Sequence, residues 1–174
     1  MRLKARAAVI VAAFCVMTFP VSAHGWGLKK TGEAQTAQAQ QNSGYIFRSG
    51  TADIVMDAEA GPVLAALGAT TRPVYEVDSC AYQGKDRLYT YDGLEVSTNV
   101  RDGKERIASL LVKGKDLVTP EGLKIGAKES EITKLYGSAS PSFGIYRYLR
   151  GNTELSIYTT AGVVDEIEYV VVLK

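Results

Sequence analysis

The sequence predicts an α+β protein of two tandem helix-plus-antiparallel-meander units, forming a sheet with its helices packed on one face. Three observations lead there. Strand-like runs alternate apolar and polar residues on either side of short glycine turns, as in Arg87–Thr98 around Asp92-Gly93 and Ile145–Thr159 around Arg150-Gly151. Each set of runs is preceded by one short helical stretch that ends at a glycine, Leu67-Gly68 and Tyr136-Gly137. The two halves also match in order: Tyr89-Thr-Tyr91 answers Tyr146-Arg-Tyr148, Glu95-Val-Ser97 answers Glu154-Leu-Ser156, and Gly103 with Ile107 answers Gly162 with Ile167.

The chain opens with a basic n-region, Met1–Arg6, followed by an apolar run from Ala7 to Phe19 and the small-residue site Val21-Ser-Ala23. This reads as a signal peptide over residues 1–23, cleaved after Ala23, because the apolar run is shorter than the roughly 20 residues that span a bilayer. The chain is thus expected to be exported, with no stable membrane insertion after signal removal. Residues 24–44 are rich in Gln, Ala, Gly and Thr without periodicity and read as a disordered linker.

The first unit covers residues 45–113. Tyr45–Phe47 and Thr51–Met56 form a hairpin around Ser49-Gly50. Asp57–Leu67 is a short helix capped by Asp57, with Val63, Ala66 and Leu67 on one face and Pro62 in its first turn. Pro73–Val77 is a strand. Residues 87–98 are a hairpin whose Asp92-Gly93 turn suits type I′, with both residues at positive φ. Asp102-Gly103 then leads into Ile107–Lys113. The second unit covers residues 114–174. Leu123–Ile125 is a short strand, and Gly126–Tyr136 a helix with Ile132, Leu135 and Tyr136 as its inner stripe. Its Glu129 and Glu131 near the N-terminus and Lys134 near the C-terminus suit the helix dipole. Three strands follow, Gly144–Leu149, Thr153–Thr159 and Val163–Leu173.

Period-two alternation divides the hairpins into two faces. Tyr89, Tyr91, Leu94, Val96 and Thr98 share one side, as do Tyr146, Tyr148, Thr153, Leu155 and Ile157. These apolar and aromatic sets are expected to pack inward. The opposite, open face carries Thr90, Glu95 and Ser97 from the first unit and Arg147, Glu154 and Tyr158 from the second, with Arg147 across from Glu154. Tyr and Arg are enriched at interface hot spots, so this face is the candidate binding surface.

Other chemistries find little support. Without the signal's Arg2, Lys4 and Arg6, the 20 Lys and Arg no longer balance 19 Asp and Glu. The exported chain is net acidic, which argues against a nucleic-acid partner. One histidine, His24, cannot supply a zinc or copper site, so no metal or cofactor is expected. Cys15 leaves with the signal, which makes Cys80 a solitary cysteine: a buried small hydrophobe, an intermolecular bridge or a reactive thiol. No Ser-x-x-Lys, G-x-S-x-G or phosphate-binding glycine loop is present. Glu166 and Glu168 share one face of the last strand, where solubility or edge protection is the simpler role.

The duplicated pattern resembles the tandem fold of the proteinaceous β-lactamase inhibitors and of the small SmpA/OmlA (BamE) type lipoproteins. The stretches Glu59–Gly68, Ser79–Tyr82, Tyr89-Thr-Tyr91 and Thr119–Gly126 are similar to an uncharacterised group of exported proteins from Gram-positive anaerobes. In the inhibitors the open sheet face grips a partner protein, which here implies the face bearing Glu95, Arg147, Glu154 and Tyr158. The expectation is an exported, non-enzymatic module that binds a protein or envelope polymer. The alternatives are a structural envelope protein that self-associates, and a carboxylate-dependent hydrolase.

Overall fold

The computed structural model describes residues 44–173. The expected signal peptide and nearly all of the expected linker therefore lie outside the described residues. In order the elements are β1 (Ile46–Ser49), β2 (Ala52–Val55), α1 (Ala60–Leu67), β3 (Tyr75–Asp78), β4 (Lys85–Tyr91), β5 (Leu94–Arg101) and β6 (Lys104–Val112), then α2 (Glu129–Tyr136), β7 (Ile145–Arg150), β8 (Thr153–Thr160) and β9 (Val163–Val171). β1 and β2 form a hairpin of their own. The other seven strands make one sheet in the order β3-β4-β5-β6-β9-β8-β7, antiparallel throughout.

The expected pair of helix-plus-meander units is corrected by this topology. The chain is mainly an antiparallel β protein. Its two sets of strands merge into one sheet through β6 and β9, where Leu110 pairs with Tyr169 and Val112 with Ile167. The helices are minor parts. Each has eight residues and stops at a glycine with positive φ, Gly68 or Gly137. Eight residues make about 12 Å of helix, whereas seven strands span about 29 Å. α1 buries only Ala60 and Val63, and α2 only Ile132. The missing cover comes from the β1–β2 hairpin, which contributes Tyr45, Phe47, Ala52, Ile54 and Met56 to the core. Phe47 and Tyr45 lie against the ring of Tyr169 on β9, at centroid distances of 5.8 and 5.7 Å.

Several local expectations change with it. Asp57 does not cap α1. It sits at φ 69°, its amide donates to the Ile107 carbonyl, and its carboxylate pairs with Arg101. Glu59 occupies the cap position, and Pro62 falls in the first turn, where a missing N–H is harmless. Leu135, expected on the inner stripe of α2, is 38% exposed. In the Asp92-Gly93 turn only Gly93 has positive φ; Asp102-Gly103, Phe143-Gly144 and Ala161-Gly162 are pairs with both residues at positive φ. A Cβ on Gly93 would stand 2.5 Å from the Gly114 Cα, so here glycine answers a close backbone approach. Glu166 and Glu168 are not on an edge, since β9 lies between β6 and β8.

Register decides which side chains the core receives. Leu94, Val96, Leu110, Val112, Leu155, Ile157, Ile167 and Tyr169 are all buried on the covered face. Tyr146 is buried, and Tyr89, Tyr91 and Tyr148 are half-buried against the same cluster. The β5–β6 and β8–β9 pairs each shift register, at Ser97/Thr98 and Tyr158/Thr159, with the extra residue, Ala108 or Asp165, on β6 and on β9.

Candidate functional site: the uncovered face of the sheet

The second face of the large sheet has no described element packed across it. Cross-strand partners arrange it in rows. One row runs Tyr75, Leu88, Ser97, Ser109, Val170, Glu154, Leu149 from β3 to β7. The next runs Thr90, Glu95, Leu111, Glu168, Ser156, Arg147. A short third row sets Glu166 beside Tyr158 and Ile145. Period-two alternation thus places Thr90, Glu95, Ser97, Arg147, Glu154 and Tyr158 on one surface.

They do not form one compact site. Thr90, Glu95 and Ser97 lie on β4 and β5, while Arg147, Glu154 and Tyr158 lie on β7 and β8. Thr90 and Arg147 stand five strands apart, about 24 Å. Thr90 and Glu95 border a recess of ≈ 420 Å³ with Arg72 and Lys113. Arg147 directly opposes Ser156, because the turn is Gly151-Asn152; its Nε meets the Glu154 carboxylate diagonally at 3.5 Å.

Between the two groups runs a set of side chains that the sequence reading passed over. Lys113 Nζ lies 3.4 Å from Glu95 Oε2 and 3.9 Å from Glu166 Oε2, and so links β5 to β9. The Tyr158 hydroxyl donates to Glu168 Oε2 at 2.8 Å. Burial, reinforced by that hydrogen bond and carboxylate charge, pushes the phenol up to about 12. Burial also raises the Glu166 carboxyl; Glu168, Asp165 and Glu95 add to the rise, and Lys113 opposes it. Ser97 and Ser109 share a 2.6 Å hydrogen bond. Four carboxylates, Glu95, Glu154, Glu166 and Glu168, thus share the face with Lys113 and Arg147, and Arg72 borders the recess beside Glu95. Half-buried Leu88, Leu111 and Val170 lie among them, and Tyr75 and Leu149 are 64% and 67% exposed at the two edges. Glu168 and Glu166 were visible as a same-face pair in sequence. Lys113 was not, because nothing local reveals that β6 and β9 are neighbours.

The face offers charge pairing and shallow apolar contact. Among the described residues no group of three or more His, Cys, Asp or Glu could hold a metal ion. Cys80 lies in the loop between β3 and β4, exposed and unpaired, which removes the buried-hydrophobe reading.

No family model matches the chain, and no curated protein does. Among solved structures, an extracellular protein containing a SCP domain from Bacillus anthracis is similar at 14% identity and a TM-score of 0.49. The likeness covers 71% of this chain and 47% of that one, so this chain spans about half the neighbour's length. At that score the likeness bears on neither the fold nor the activity of this chain. No helix among the described residues is long and apolar enough to cross a membrane.

Proposed function

We propose that this protein is an exported, non-enzymatic binding module that engages a protein or cell-envelope component through the open face of its large sheet. The observation that carries the reading is the uncovered face itself. A sheet face that meets only water has no need of Tyr75, Leu88, Leu111, Val170 and Leu149 spread across it, with Tyr75 and Leu88 directly paired. The acidic excess around them fits a partner with basic groups, and opposite potentials would steer the encounter. The expected leader at residues 1–23 is the reason for placing the module outside the cytoplasm.

The test is crosslinking and pull-down on intact cells with the double variant Arg147→Glu, Tyr158→Ala. The fold, followed by circular dichroism, is expected to survive, and the captured partner to disappear. Unchanged capture would remove this face from the function. A second reading, self-association, is favoured by one observation, the exposed and unpaired Cys80. Non-reducing electrophoresis decides it: absence of a dimer that Cys80→Ser abolishes rules out the disulfide-linked form.

A further inference from the structure

At the tip of the β5–β6 hairpin an arginine is buried without enough acceptors. The side chain of Arg101, the last residue of β5, is 8% exposed. Its Nη2 donates to the Ile107 carbonyl at 3.3 Å and stands 3.0 Å from Asp57 Oδ1. Its Nε and Nη1 are buried and meet no acceptor among the described residues. A guanidinium has five N–H donors and no way to shed its charge. Leaving such donors unmade away from water is costly, so the guanidinium gains by turning them towards an acceptor that enters from the cleft it lines.

The surroundings define what that is. Arg101 lines an open cleft of ≈ 710 Å³ together with Arg106, Asp57, Tyr82, Val100 and Leu173. Arg106 Nη1 donates to the Asp57 carbonyl at 2.8 Å and lies 3.9 Å from its carboxylate. The Tyr82 ring stands over the Arg101 guanidinium, with its centroid 6.0 Å away. Among the described residues, two arginines against Asp57 leave one positive charge unmatched inside the cleft. Asp102 also borders it, but from the exposed turn, where solvent screens it. The nearby Lys104 and Glu59 are taken up with each other.

The fold does not require this arginine. The β8–β9 tip docks on the segment before α2 much as the β5–β6 tip docks on the segment before α1. Val164 donates to Ala127, Gly126 to Val164 and Glu129 to Gly162, as Asp57 donates to Ile107 and Ile107 to Ala58. At the second tip Val164 takes the place of Ile107, and among the described residues no charged group is buried there.

We propose that this cleft binds a small organic monocarboxylate, its carboxylate held by Arg101 and Arg106 and its apolar part lying against Tyr82, Val100 and Leu173. One unmatched positive charge suits a monoanion, and the apolar walls suit an organic group over an inorganic ion. The site uses none of Thr90, Glu95, Ser97, Arg147, Glu154 and Tyr158, so its fate is separate from that of the binding surface proposed above.

The test follows the Arg101 Nε–H signal of the ¹⁵N-labelled full chain during titration with benzoate, with inorganic phosphate and chloride as parallel arms at equal ionic strength. Arg101→Lys assigns the signal; Arg106→Gln and Tyr82→Ala, both at less buried positions, serve where that variant folds poorly. A saturable shift with Kd ~1 mM is expected, weakened about tenfold by Arg106→Gln and about threefold by Tyr82→Ala. Phosphate and chloride are expected not to displace benzoate. Absence of a saturable shift would mean a hydrated structural arginine and would overturn the proposal. Displacement by phosphate at benzoate's own affinity would also overturn it, since the cleft would then read charge alone.

Discussion

The two faces of the large sheet are built from the same strands and differ in what covers them. On β9, Ile167 and Tyr169 point to the β1–β2 hairpin and the helices and are sealed, while Glu166 and Glu168 on the other side remain half-exposed. Glu105 and Glu166, one on each side, respond in opposite ways. On the covered side, beyond the reach of the hairpin, Glu105 accepts from Thr98 Oγ1 at 2.6 Å and from the Tyr89 hydroxyl at 2.9 Å, and lies 3.0 Å from Arg87. Burial pushes its carboxyl up, but these hydrogen bonds and the Arg87 charge outweigh burial and leave it below its ordinary value. On the open side Glu166 is raised, because its burial is joined by three carboxylates and opposed only by Lys113. The covered face has its charges paired, whereas the open face holds charges crowded and under-paired. A surface kept that way tolerates repulsion that a partner could relieve.

The largest break in this comparison is to strip the cover. Phe47 is 1% exposed and packs on Tyr169. Phe47→Ala is expected to cost ~3–5 kcal/mol, as large-to-small changes in a core do, and urea unfolding measures it. A loss under about 1 kcal/mol would mean that the hairpin is not part of the core. Next comes Gly93→Ala. The new Cβ meets the Gly114 backbone, and the residue must hold φ +68°. Strain of ~1–3 kcal/mol is expected. Because the Lys113 and Gly114 amides both donate to the Gly93 carbonyl, the change is also expected to disturb the Lys113 contacts with Glu95 and Glu166.

A smaller effect separates the faces by pH. The depressed Glu105 carboxyl contributes stability that is full above its ordinary value of 4.5 and is lost as pH falls through the folded value. Glu105→Gln is expected to cost ~1 kcal/mol at neutral pH and to flatten the acid limb of a plot of unfolding free energy against pH. An unchanged acid limb would show that the Arg87, Tyr89 and Thr98 contacts carry no linkage.

Much of this arrangement was legible in sequence, for reasons that also mark the limit. The Asp92-Gly93 turn joins β4 to β5 with no register shift and so sets which residues face each other along that hairpin, whereas the Asp102-Gly103 and Ala161-Gly162 hairpins each shift part-way, at Ser97/Thr98 and Tyr158/Thr159. Period two then divides Glu95 from Val96 and Glu154 from Leu155 without knowledge of the rest of the chain. Contacts between distant segments have no such signal. The β6–β9 junction joins Leu110 to Tyr169, and the Asp57–Arg101 pair joins a left-handed residue before α1 to the end of β5. The brevity of the helices was written in Gly68 and Gly137. What replaced them as cover was not, because Tyr45, Phe47 and Ile54 read locally as an ordinary hairpin whatever it lies against.

The smallest prediction sharpens the comparison most. Glu166 has a raised folded pKa, so the sign is opposite to that of Glu105. Its contribution is full below the ordinary value of 4.5 and is lost as pH rises through the raised value. At neutral pH the charged form is therefore the disfavoured one. Glu166→Gln removes that charge from beside Glu168 and Glu95 but forfeits the 3.9 Å contact with Lys113, which at that distance on a half-exposed surface is worth little. The variant is expected to be as stable as the parent at pH 4 and more stable by up to about 0.5 kcal/mol at pH 7, with thermal unfolding at both values as the measurement. Destabilisation at pH 7 would mean that Lys113 binds Glu166 more strongly than the neighbouring carboxylates repel it. The open face would then be a settled ion-pair network, with no excess of charge left for a basic partner to neutralise.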